Sequence, residues 1–334
     1  MINVEEYLPV LCDPISYEPL ELEEDETGRP ALVCYPSRMR YYFMGDFPDL
    51  RPNAGIPFDQ VANPQTLAAK LDEKDEEVRR HYNDKPCNNY LNLDNVPLGR
   101  WLRDPAYASW FDNLGFAVEV GAGKGAIALA FKEHRGIRLF CIDLAYGSLR
   151  QVRFEPLCAD GALASNLHLP LRDGVADLVV SYGVIHHTLD PIQCMVELSR
   201  VLKPGGRLLL GVYNWDNLYR SLYFFFSPPL KAVRRLFGKT LGDLLLQLTV
   251  FVPYHLALWL VLVTVQKRLT FPKLRDSWEQ FSDFFLTPYA RFYTREEMIT
   301  LANILGLKLL EHATGGWPGN SFSHFYWFQK PLDQ

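Results

Sequence analysis

The stretch that decides the fold is FAVEVGAGKGAIALAFKEH, residues 116–134. Its first residues alternate between small and apolar side chains, which is typical of a buried parallel strand around residues 117–121. Glycines follow at 121, 123 and 125, and the run AIALAFKEH after them predicts a helix. Glycine lets the backbone approach a bound molecule, and a helix N-terminus offers free N–H donors. This strand, turn and helix therefore predict a ligand site.

A second strand is predicted in LFCIDLAYG, which places Asp143 at its end, 22 residues after Gly121. A carboxylate in that position can accept hydrogen bonds from both hydroxyls of a ribose. Gly121, Gly123 and Ala126 also satisfy the dinucleotide fingerprint G-x-G-x-x-G/A. These two segments alone leave a dinucleotide open as the ligand.

Three more strands are predicted downstream. EPLCADGALASNLHLP indicates a third strand that ends at Asp160-Gly161, and GVADLVVSYGVIHHTLD a fourth that ends near Ser181. Asp190 then caps a helix that begins with Pro191. KPGG, residues 203–206, predicts a tight turn before the fifth strand, RLLLGVYN.

Five segments occur in order: VEVGAGKG, CIDLAYG, CADG, DLVVSYGVIHHTLD and RVLKPGGRLLLGVYN. Together they resemble the class I S-adenosylmethionine-dependent methyltransferases, in the subgroup with GVIHH and LKPGG motifs. The resemblance is dense over residues 115–215 and loose over 294–330. It implies S-adenosyl-L-methionine as cofactor. It also implies a Rossmann-like α/β fold, a seven-stranded, mostly parallel sheet with helices on both faces. The later motifs disfavour a dehydrogenase.

The resemblance also assigns roles to single residues. A glycine loop passes under the methionine part of the cofactor, Asp143 binds the ribose, and Asp160 accepts from the adenine amino group. The cofactor-binding residues that it implies are Glu119, Gly121, Ala122, Gly123, Asp143, Leu144, Asp160, Gly161, Ser181 and Tyr182.

Methyl transfer from a sulfonium is an in-line displacement in which the cofactor carries the reactivity, so the protein mainly positions and desolvates. A hydroxyl or acidic carbon acceptor needs a base. The candidate catalytic residues are His187, His186 and Tyr213, with His255 as a further base and Asn214 as a further group that orients the acceptor. The alternative for the two adjacent histidines is a structural role beneath the site.

The N-terminal residues 1–57 resemble a small zinc ribbon, a module found fused to methyltransferases or as their activator subunit. GDFPDLRP matches the ribbon's tail, but each knuckle keeps only one cysteine, Cys12 and Cys34. Ile15 and Ser37 stand at the second ligand positions. Two thiolates are too few for a closed tetrahedral site, so we expect no metal. An unrelated β-hairpin extension is the alternative.

The predicted methyltransferase domain comprises residues 115–216 and 290–334. A helical linker, 58–114, precedes it, with a charged helix over residues 67–84. Near the C-terminus, Thr294 and Glu297 predict a capping box, and LKLLEH and HFYWFQK predict strands six and seven. The seventh strand is expected to run antiparallel.

An insert, residues 217–289, differs from its host in charge and apolarity. Residues 220–275 hold nine basic side chains and one acidic one, whereas the rest of the chain carries a formal charge of −13. Residues 244–265 are apolar over the length of a membrane span. One crossing would place two halves of one sheet on opposite sides of a bilayer, so a single span is excluded.

Two interpretations of the insert remain open, a hydrophobic lid over the acceptor and contact with an anionic membrane surface. Ser227 and Pro228-Pro229 predict the start of an amphipathic helix, which suits such a surface. Its apolar face is Leu230, Val233, Leu236 and Phe237, and its basic residues are Lys231, Arg234, Arg235 and Lys239.

The whole composition narrows the function. The net charge of −5 gives no nucleic-acid signature, and the six cysteines show no paired spacing, which favours a reducing, cytoplasmic location, peripheral to the membrane if the insert contacts it. We expect a methyltransferase whose acceptor is a hydrophobic small molecule such as a lipid, a quinone or a polyketide-like compound. The alternatives are an RNA or protein methyltransferase and a non-catalytic partner that keeps the cofactor fold.

Overall fold

The computed structural model describes residues 2–60, 73–84, 93–154, 156–264, 271–315 and 322–332. The chain divides into two compact units. The first unit is Met1–Trp215 with Arg291–Gln334, and the second is Asp216–Ala290. The insert expected at residues 217–289 falls in the second unit.

The strands among the described residues are β1 (Glu21–Glu24), β2 (Pro30–Cys34), β3 (Met39–Met44), β4 (Phe47–Pro48), β5 (Ile56–Pro57), β6 (Ala117–Val120), β7 (Phe140–Asp143), β8 (Gly161–Leu163), β9 (Ala176–Tyr182), β10 (Leu202–Tyr213), β11 (Lys308–Gly315) and β12 (Ser323–Gln329). The α-helices are α1 (Glu73–Asp84), α2 (Pro97–Arg103), α3 (Ala126–Arg135), α4 (Tyr146–Leu149), α5 (Pro191–Val201), α6 (Leu218–Leu246), α7 (Val252–Thr264), α8 (Leu274–Leu286) and α9 (Arg295–Ile304).

The central sheet has the strand order β11-β12-β10-β9-β6-β7-β8. Strands β6 to β10 pair in parallel, and β12 lies antiparallel between β10 and β11. All four residues of β6 are buried, as expected of a strand covered on both faces. The predicted seven-stranded, mostly parallel sheet with an antiparallel last strand is confirmed.

Two predicted helix starts are also confirmed. The side chain of Asp190 accepts two backbone N–H groups of α5, and Thr294 with Glu297 forms the capping box of α9. The KPGG turn, predicted to precede the fifth strand, lies within it. Gly205 has a φ of +79°, although strand β10 already begins at Leu202. The turn therefore appears as an irregularity in the pairing of β10 with β9.

The third parallel strand, β8, lies elsewhere than predicted. It begins at Gly161 and ends at Leu163, whereas the sequence interpretation ended it at Asp160-Gly161. Leu163 pairs with Asp143, so Asp160 and Gly161 lie at the opposite end of the sheet from Asp143. An Asp-Gly pair is typical of a turn on either side of a strand, and here the apolar run that pairs follows it.

The turns of the small N-terminal sheet converge on the buried Asp13. Its carboxylate accepts hydrogen bonds from the N–H groups of Ile15 and Ser16, both at 2.8 Å, and from the hydroxyls of Ser37 at 2.8 Å and Tyr41 at 3.0 Å. Burial acts to raise the pKa of Asp13, but these hydrogen bonds outweigh it and the pKa is lowered. Ile15 and Ser37 are the two positions where a zinc ribbon would have cysteines. A carboxylate therefore links the two turns.

Cys12 and Cys34 are both buried, and burial raises the pKa of Cys12 to about 12. Among the residues that the structure describes, no group of three or more His, Cys, Asp or Glu side chains is arranged to hold a metal ion. The zinc-ribbon resemblance stays a prediction.

The N-terminal region also extends the central sheet. The N–H of Leu50 donates to the carbonyl of Leu163 at 2.8 Å, and Asp49 forms a parallel bridge with the same residue. A buried ion pair between Arg51 and Asp49 stabilises this segment. The edge of β8 is therefore covered, which protects a strand edge from pairing with other chains.

Of the charged helix predicted over residues 67–84, α1 covers 73–84, and the remainder lies outside the described residues.

In the second unit, the first helix starts earlier than predicted. α6 begins at Leu218, where Asn217 accepts the N–H of Arg220, and Pro228-Pro229 lie inside it rather than at its start. The prolines remove two N–H donors but do not end the helix. Gly238 has non-helical dihedral angles, so α6 consists of two helical segments joined by a kink.

The second unit has a hydrophobic cluster of its own. A π-helical turn, Gln247–Phe251, joins α6 to α7. The cluster consists of Leu230, Leu246, Phe251, Trp278, Phe281, Phe285 and Leu286. By length and composition alone, the helical run Leu218–Leu260, which includes the kink at Gly238, is long and apolar enough to cross a membrane.

Candidate cofactor and acceptor site

The glycine turn after β6 is held close to the neighbouring strand. The N–H groups of Gly121 and Ala122 both donate to the carbonyl of Ile142, at 2.8 and 3.0 Å. Gly121 has a φ of +79°, and a Cβ atom at this position would lie 2.2 Å from a methyl group of Val184. Only glycine fits this turn, so the backbone stays open to a ligand at the edge of the sheet.

Glu119 lies beneath this turn, in the middle of β6, and is almost completely buried. Its carboxylate accepts the N–H of Ala128, in the first turn of α3, at 3.1 Å. Burial raises the pKa of Glu119 well above its usual range, and the nearby charge of Asp143 adds to that effect. Glu119 therefore fastens the helix that follows the glycine turn.

Asp143 lies at the carboxyl end of β7, beside the glycine turn. One of its oxygens accepts the N–H of Gly123 and the other accepts the N–H of Ala145, both at 2.8 Å. Burial raises the pKa of Asp143, while hydrogen bonds from Ala145, Gly123 and the N–H of Leu144 act against that rise. Each carboxylate oxygen has two lone pairs, so both retain capacity for ribose hydroxyls.

Asp160 and Gly161 do not join this group of residues. The two carboxylate oxygens of Asp160 accept hydrogen bonds from Tyr7 at 2.9 Å and Arg153 at 2.6 Å. A Cβ at Gly161 would lie 2.1 Å from the carbonyl oxygen of Cys141, so its glycine serves the tight pairing of β7 with β8. The expectation that Asp160 faces the adenine is wrong, because the strand order and register place it at the other end of β8.

Ala164 and Ser165 take the place beside Asp143 that was expected for Asp160. The N–H of Ala164 donates to the carbonyl of Asp143 at 3.1 Å, and Ser165 follows it as a buried hydroxyl. The N–H of Leu167 donates to the Ser165 hydroxyl at 3.2 Å. The sequence interpretation missed these residues. The available signal was the polar pair SN directly after the apolar run GALA.

Ser181 and Tyr182 end strand β9 at the same edge. The hydroxyl of Ser181 is buried and has no hydrogen-bond partner among the described residues. The ring of Tyr182 stacks on Phe325 of β12 at a centroid distance of 5.4 Å. Buried polar groups are normally paired, so the Ser181 hydroxyl is available for a bound group.

The three candidate catalytic residues lie together. The rings of His186 and Tyr213 stack with centroids 3.7 Å apart, and His187 packs edge-on against Tyr213 at 5.4 Å. The 3-10 turn Ile185–His187 follows β9, and Tyr213 ends β10. Asn214, the next residue, is also buried at this edge.

His186 is a neutral imidazole. The backbone N–H of Tyr213 donates to His186 Nδ1 at 3.3 Å, so the ring proton lies on Nε2. Burial, with the neighbouring His187, lowers the pKa of His186 well below its usual value. Its only lone pair in the ring plane is therefore already used.

His255 belongs to the second unit, where it is buried beside Phe251 and Phe271.

The residues that remain at the edge fit the adenosyl group of S-adenosylmethionine. The glycine turn leaves room where a Cβ would collide, Asp143 offers carboxylate oxygens, and the Ser181 hydroxyl lacks a partner among the described residues. Ligands of open α/β sheets bind outside the carboxyl ends of the strands, where the strand order reverses, and β6 and β9 flank that point here.

Comparison with known proteins agrees with this geometry. Residues 118–210 match the family model described as a methyltransferase domain. The malonyl-acyl-carrier protein O-methyltransferase of Geobacter sulfurreducens is 34% identical over 125 residues, which are 35% of this chain and 45% of that protein. The mitochondrial arginine-hydroxylase NDUFAF5 of Homo sapiens is 27% identical over 107 residues, 32% of this chain and 31% of that protein.

A solved structure of an S-adenosylmethionine-dependent methyltransferase from Methanosarcina mazei superposes with a TM-score of 0.45 and 18% identity, over 68% of this chain and 98% of that one. The chain matches less than half the length of the two curated relatives. Residues 118–210 therefore match a methyltransferase domain, and the sheet that contains them has a Rossmann-like architecture.

Proposed function

We propose that this protein transfers a methyl group from S-adenosylmethionine to a hydrophobic small molecule such as a lipid, a quinone or a polyketide-like compound. The observation that carries the choice of acceptor is the aromatic wall beside the cofactor edge. Tyr213 stacks on Phe292 at 5.6 Å and meets Phe322 edge-on at 5.2 Å. Such a wall suits an apolar acceptor better than a sugar or a phosphate.

The cofactor supplies an electrophilic methyl group on its sulfonium, and the chain positions it. The turn at residues 121–123 approaches it with backbone atoms only, and Asp143 takes the ribose hydroxyls. Ser165 replaces Asp160 as the polar side chain next to Asp143. Because positioning accounts for most of the rate in such a displacement, the rigid packing of this turn is the main catalytic device.

The proton of the acceptor goes to His187 in this proposal. His186 is the weaker candidate, because its Nδ1 already accepts the Tyr213 N–H and its Nε2 carries a proton. The stacked ring of His186 instead positions Tyr213. Tyr213 and Asn214 orient the acceptor at the end of β10.

A carrier-bound acyl acceptor is in keeping with the name of the Geobacter relative, which refers to a malonyl group on a carrier protein. Methylation of RNA is the second candidate. A human relative named as a probable tRNA methyltransferase is 37% identical over 68 residues, 14% of that protein. The acidic balance of the chain outside the insert opposes nucleic acid.

The test is transfer of a labelled methyl group from the cofactor into an extract of the host, which is then separated into solvent-soluble, RNA and protein fractions. We expect the label in the solvent-soluble fraction, and its loss in Asp143→Ala. The matched control is Asp173→Ala, an exposed carboxylate in the turn before β9, whereas Ser181 lies at the other end of that strand. Label in the RNA or protein fraction would mean that the acceptor is RNA or protein and not a hydrophobic small molecule. The absence of label from all three fractions would support a non-catalytic partner.

A further inference from the structure

Exposed apolar side chains are concentrated in the second unit. Of the 23 large hydrophobic residues that are exposed in the described part of the chain, 15 lie between Leu218 and Leu274. Scattered exposed hydrophobic residues are normal, but a contiguous group of this kind marks an interaction surface.

The longest continuous part of this surface is a row of six side chains on one side of the α6–α7 helical run, which we name the aliphatic stripe. Its members are Leu241, Leu244, Leu248, Val252, Leu256 and Leu260. They follow one another at intervals of three or four residues and are each 49–69% exposed. At 1.5 Å per residue the stripe is about 28 Å long.

The other side of the same helical run packs inside the second unit. Leu246 and Phe251 are buried in the cluster that also contains Trp278 and Phe281 of α8. Leu258 is buried as well. The aliphatic stripe faces away from this cluster and is exposed to an outside partner.

The charges around the stripe indicate the kind of partner. No Asp, Glu, Lys or Arg occurs from residue 244 to residue 265. Exposed basic side chains bracket the apolar run, Arg235 and Lys239 before it and Lys273 and Arg275 after it, and Arg275 also pairs with Glu279 at 3.0 Å. The acid nearest its start, Asp243, is paired with Arg234 at 2.5 Å. A neutral apolar stripe between basic ends is complementary to a bilayer with anionic headgroups.

The chain path excludes a single crossing. The N–H of Trp215, just before the second unit, donates to the carbonyl of Tyr293, just after it, at 2.9 Å. Strands β10 and β12, on either side of the insert in sequence, pair in one sheet. Both ends of the insert therefore lie on the same side of any membrane, so the helical run does not cross it once.

We propose that the aliphatic stripe inserts into the boundary between headgroups and acyl chains of an anionic bilayer, with the helix axis parallel to the surface. The basic residues at its two ends contact lipid phosphates. This surface is independent of the identity of the methyl acceptor, although it would bring the protein to a source of apolar molecules.

The proposal is tested by flotation of the full-length protein with vesicles of phosphatidylcholine alone or with added phosphatidylglycerol. The stripe variant is Leu248→Asp with Leu256→Asp, and the matched control is Ile192→Asp with Ile304→Asp, two exposed residues of the first unit. We expect the wild type to float with anionic vesicles and the stripe variant to bind about tenfold or more weakly, because charge opposes burial in the acyl boundary. The control should bind like the wild type.

A second variant tests the contribution of the basic residues that precede the stripe. Arg235→Glu with Lys239→Glu should weaken binding at low salt and reduce its salt dependence. Lys231 and Arg234 are left unchanged, because Lys231 donates to Tyr223 and Pro288 and Arg234 pairs with Asp243 inside the unit.

Three results overturn the proposal. The wild type ignores anionic vesicles at low salt, the stripe variant floats as well as the wild type, or sedimentation shows that the stripe holds two copies together without binding lipid. Affinity for S-adenosylhomocysteine is measured on every variant and should not change. If the wild type does not bind S-adenosylhomocysteine, the proposed function is refuted, but the result of the vesicle experiment is still valid.

Discussion

His186 keeps a neutral imidazole inside the protein, and this has a consequence for stability. An unfolded histidine has a pKa of about 6.5, whereas burial lowers the pKa of His186 in the folded protein. Below pH 6.5 the unfolded state therefore binds the extra proton, and stability falls as the pH falls. One unit below 6.5 the loss from this residue is about 1.4 kcal/mol.

We predict that His186→Gln removes this part of the pH dependence. Urea unfolding at neutral pH and about one unit below the histidine pKa should show the wild type losing about 1.4 kcal/mol more than the variant. His134→Gln, at an exposed position of α3, controls for the loss of an imidazole. Equal losses in wild type and His186→Gln would mean that the buried ring takes up protons in the folded state.

Single residues also mark the limit of prediction from sequence. Asp143 could be placed, because a buried run that ends in an acid after a glycine turn fixes both the strand and its end. Asp160 could not, because β8 is only three residues long and its ends depend on pairing with β7. The tautomer of His186 depends on a backbone N–H 27 residues away, which no local pattern contains.

At the scale of elements, the strand–turn–helix unit of β6 and α3 was predictable, because each of its parts has a local signal. The insert was less so. Pro228-Pro229 are typical of a helix start, yet the cap at Asn217 begins α6 earlier and the prolines lie within it. The kink depends on a φ of +73° at Gly238, and the two segments that it joins meet where the backbone of Gly242 lies against Arg234.

The glycine turn itself yields a prediction. Gly121→Ala places a Cβ 2.2 Å from Val184, whereas Gly136→Ala at the end of α3 meets nothing within 4 Å. Both glycines have positive φ, +79° and +68°, so each substitution carries a backbone cost of about 1–2 kcal/mol. We expect only Gly121→Ala to lose affinity for S-adenosylhomocysteine, measured by calorimetry.

Adding Val184→Ala to Gly121→Ala removes the methyl groups that collide and should restore part of that affinity. If Gly121→Ala and Gly136→Ala bind equally well, the close approach of the turn to Val184 has no part in cofactor binding.

At the scale of the whole molecule, the two units have separate hydrophobic clusters. The large cluster of the first unit contains no residue from 216–290, and the cluster of the second unit contains none from outside that range. The residues that flank the insert, Trp215 and Tyr293, are joined by a hydrogen bond. An insertion of this kind leaves the host fold independent of it.

We therefore predict that replacing Asp216–Ala290 by a short glycine-serine linker leaves a folded first unit. It should unfold in one cooperative transition and bind S-adenosylhomocysteine with the affinity of the full chain. Thermal unfolding and calorimetry measure both. A chain that fails to fold after this deletion would show that the second unit is part of the host's core.

The measurement that tests the central claim most directly is calorimetric titration of S-adenosylhomocysteine into the wild type, Asp143→Asn and Asp160→Asn. We predict binding by the wild type, a loss of roughly 2–3 kcal/mol in Asp143→Asn from its hydrogen bonds to the ribose, and unchanged affinity in Asp160→Asn, which lies at the other end of β8. Wild-type affinity in Asp143→Asn, or no binding by the wild type, would contradict the assignment of this edge as the cofactor site.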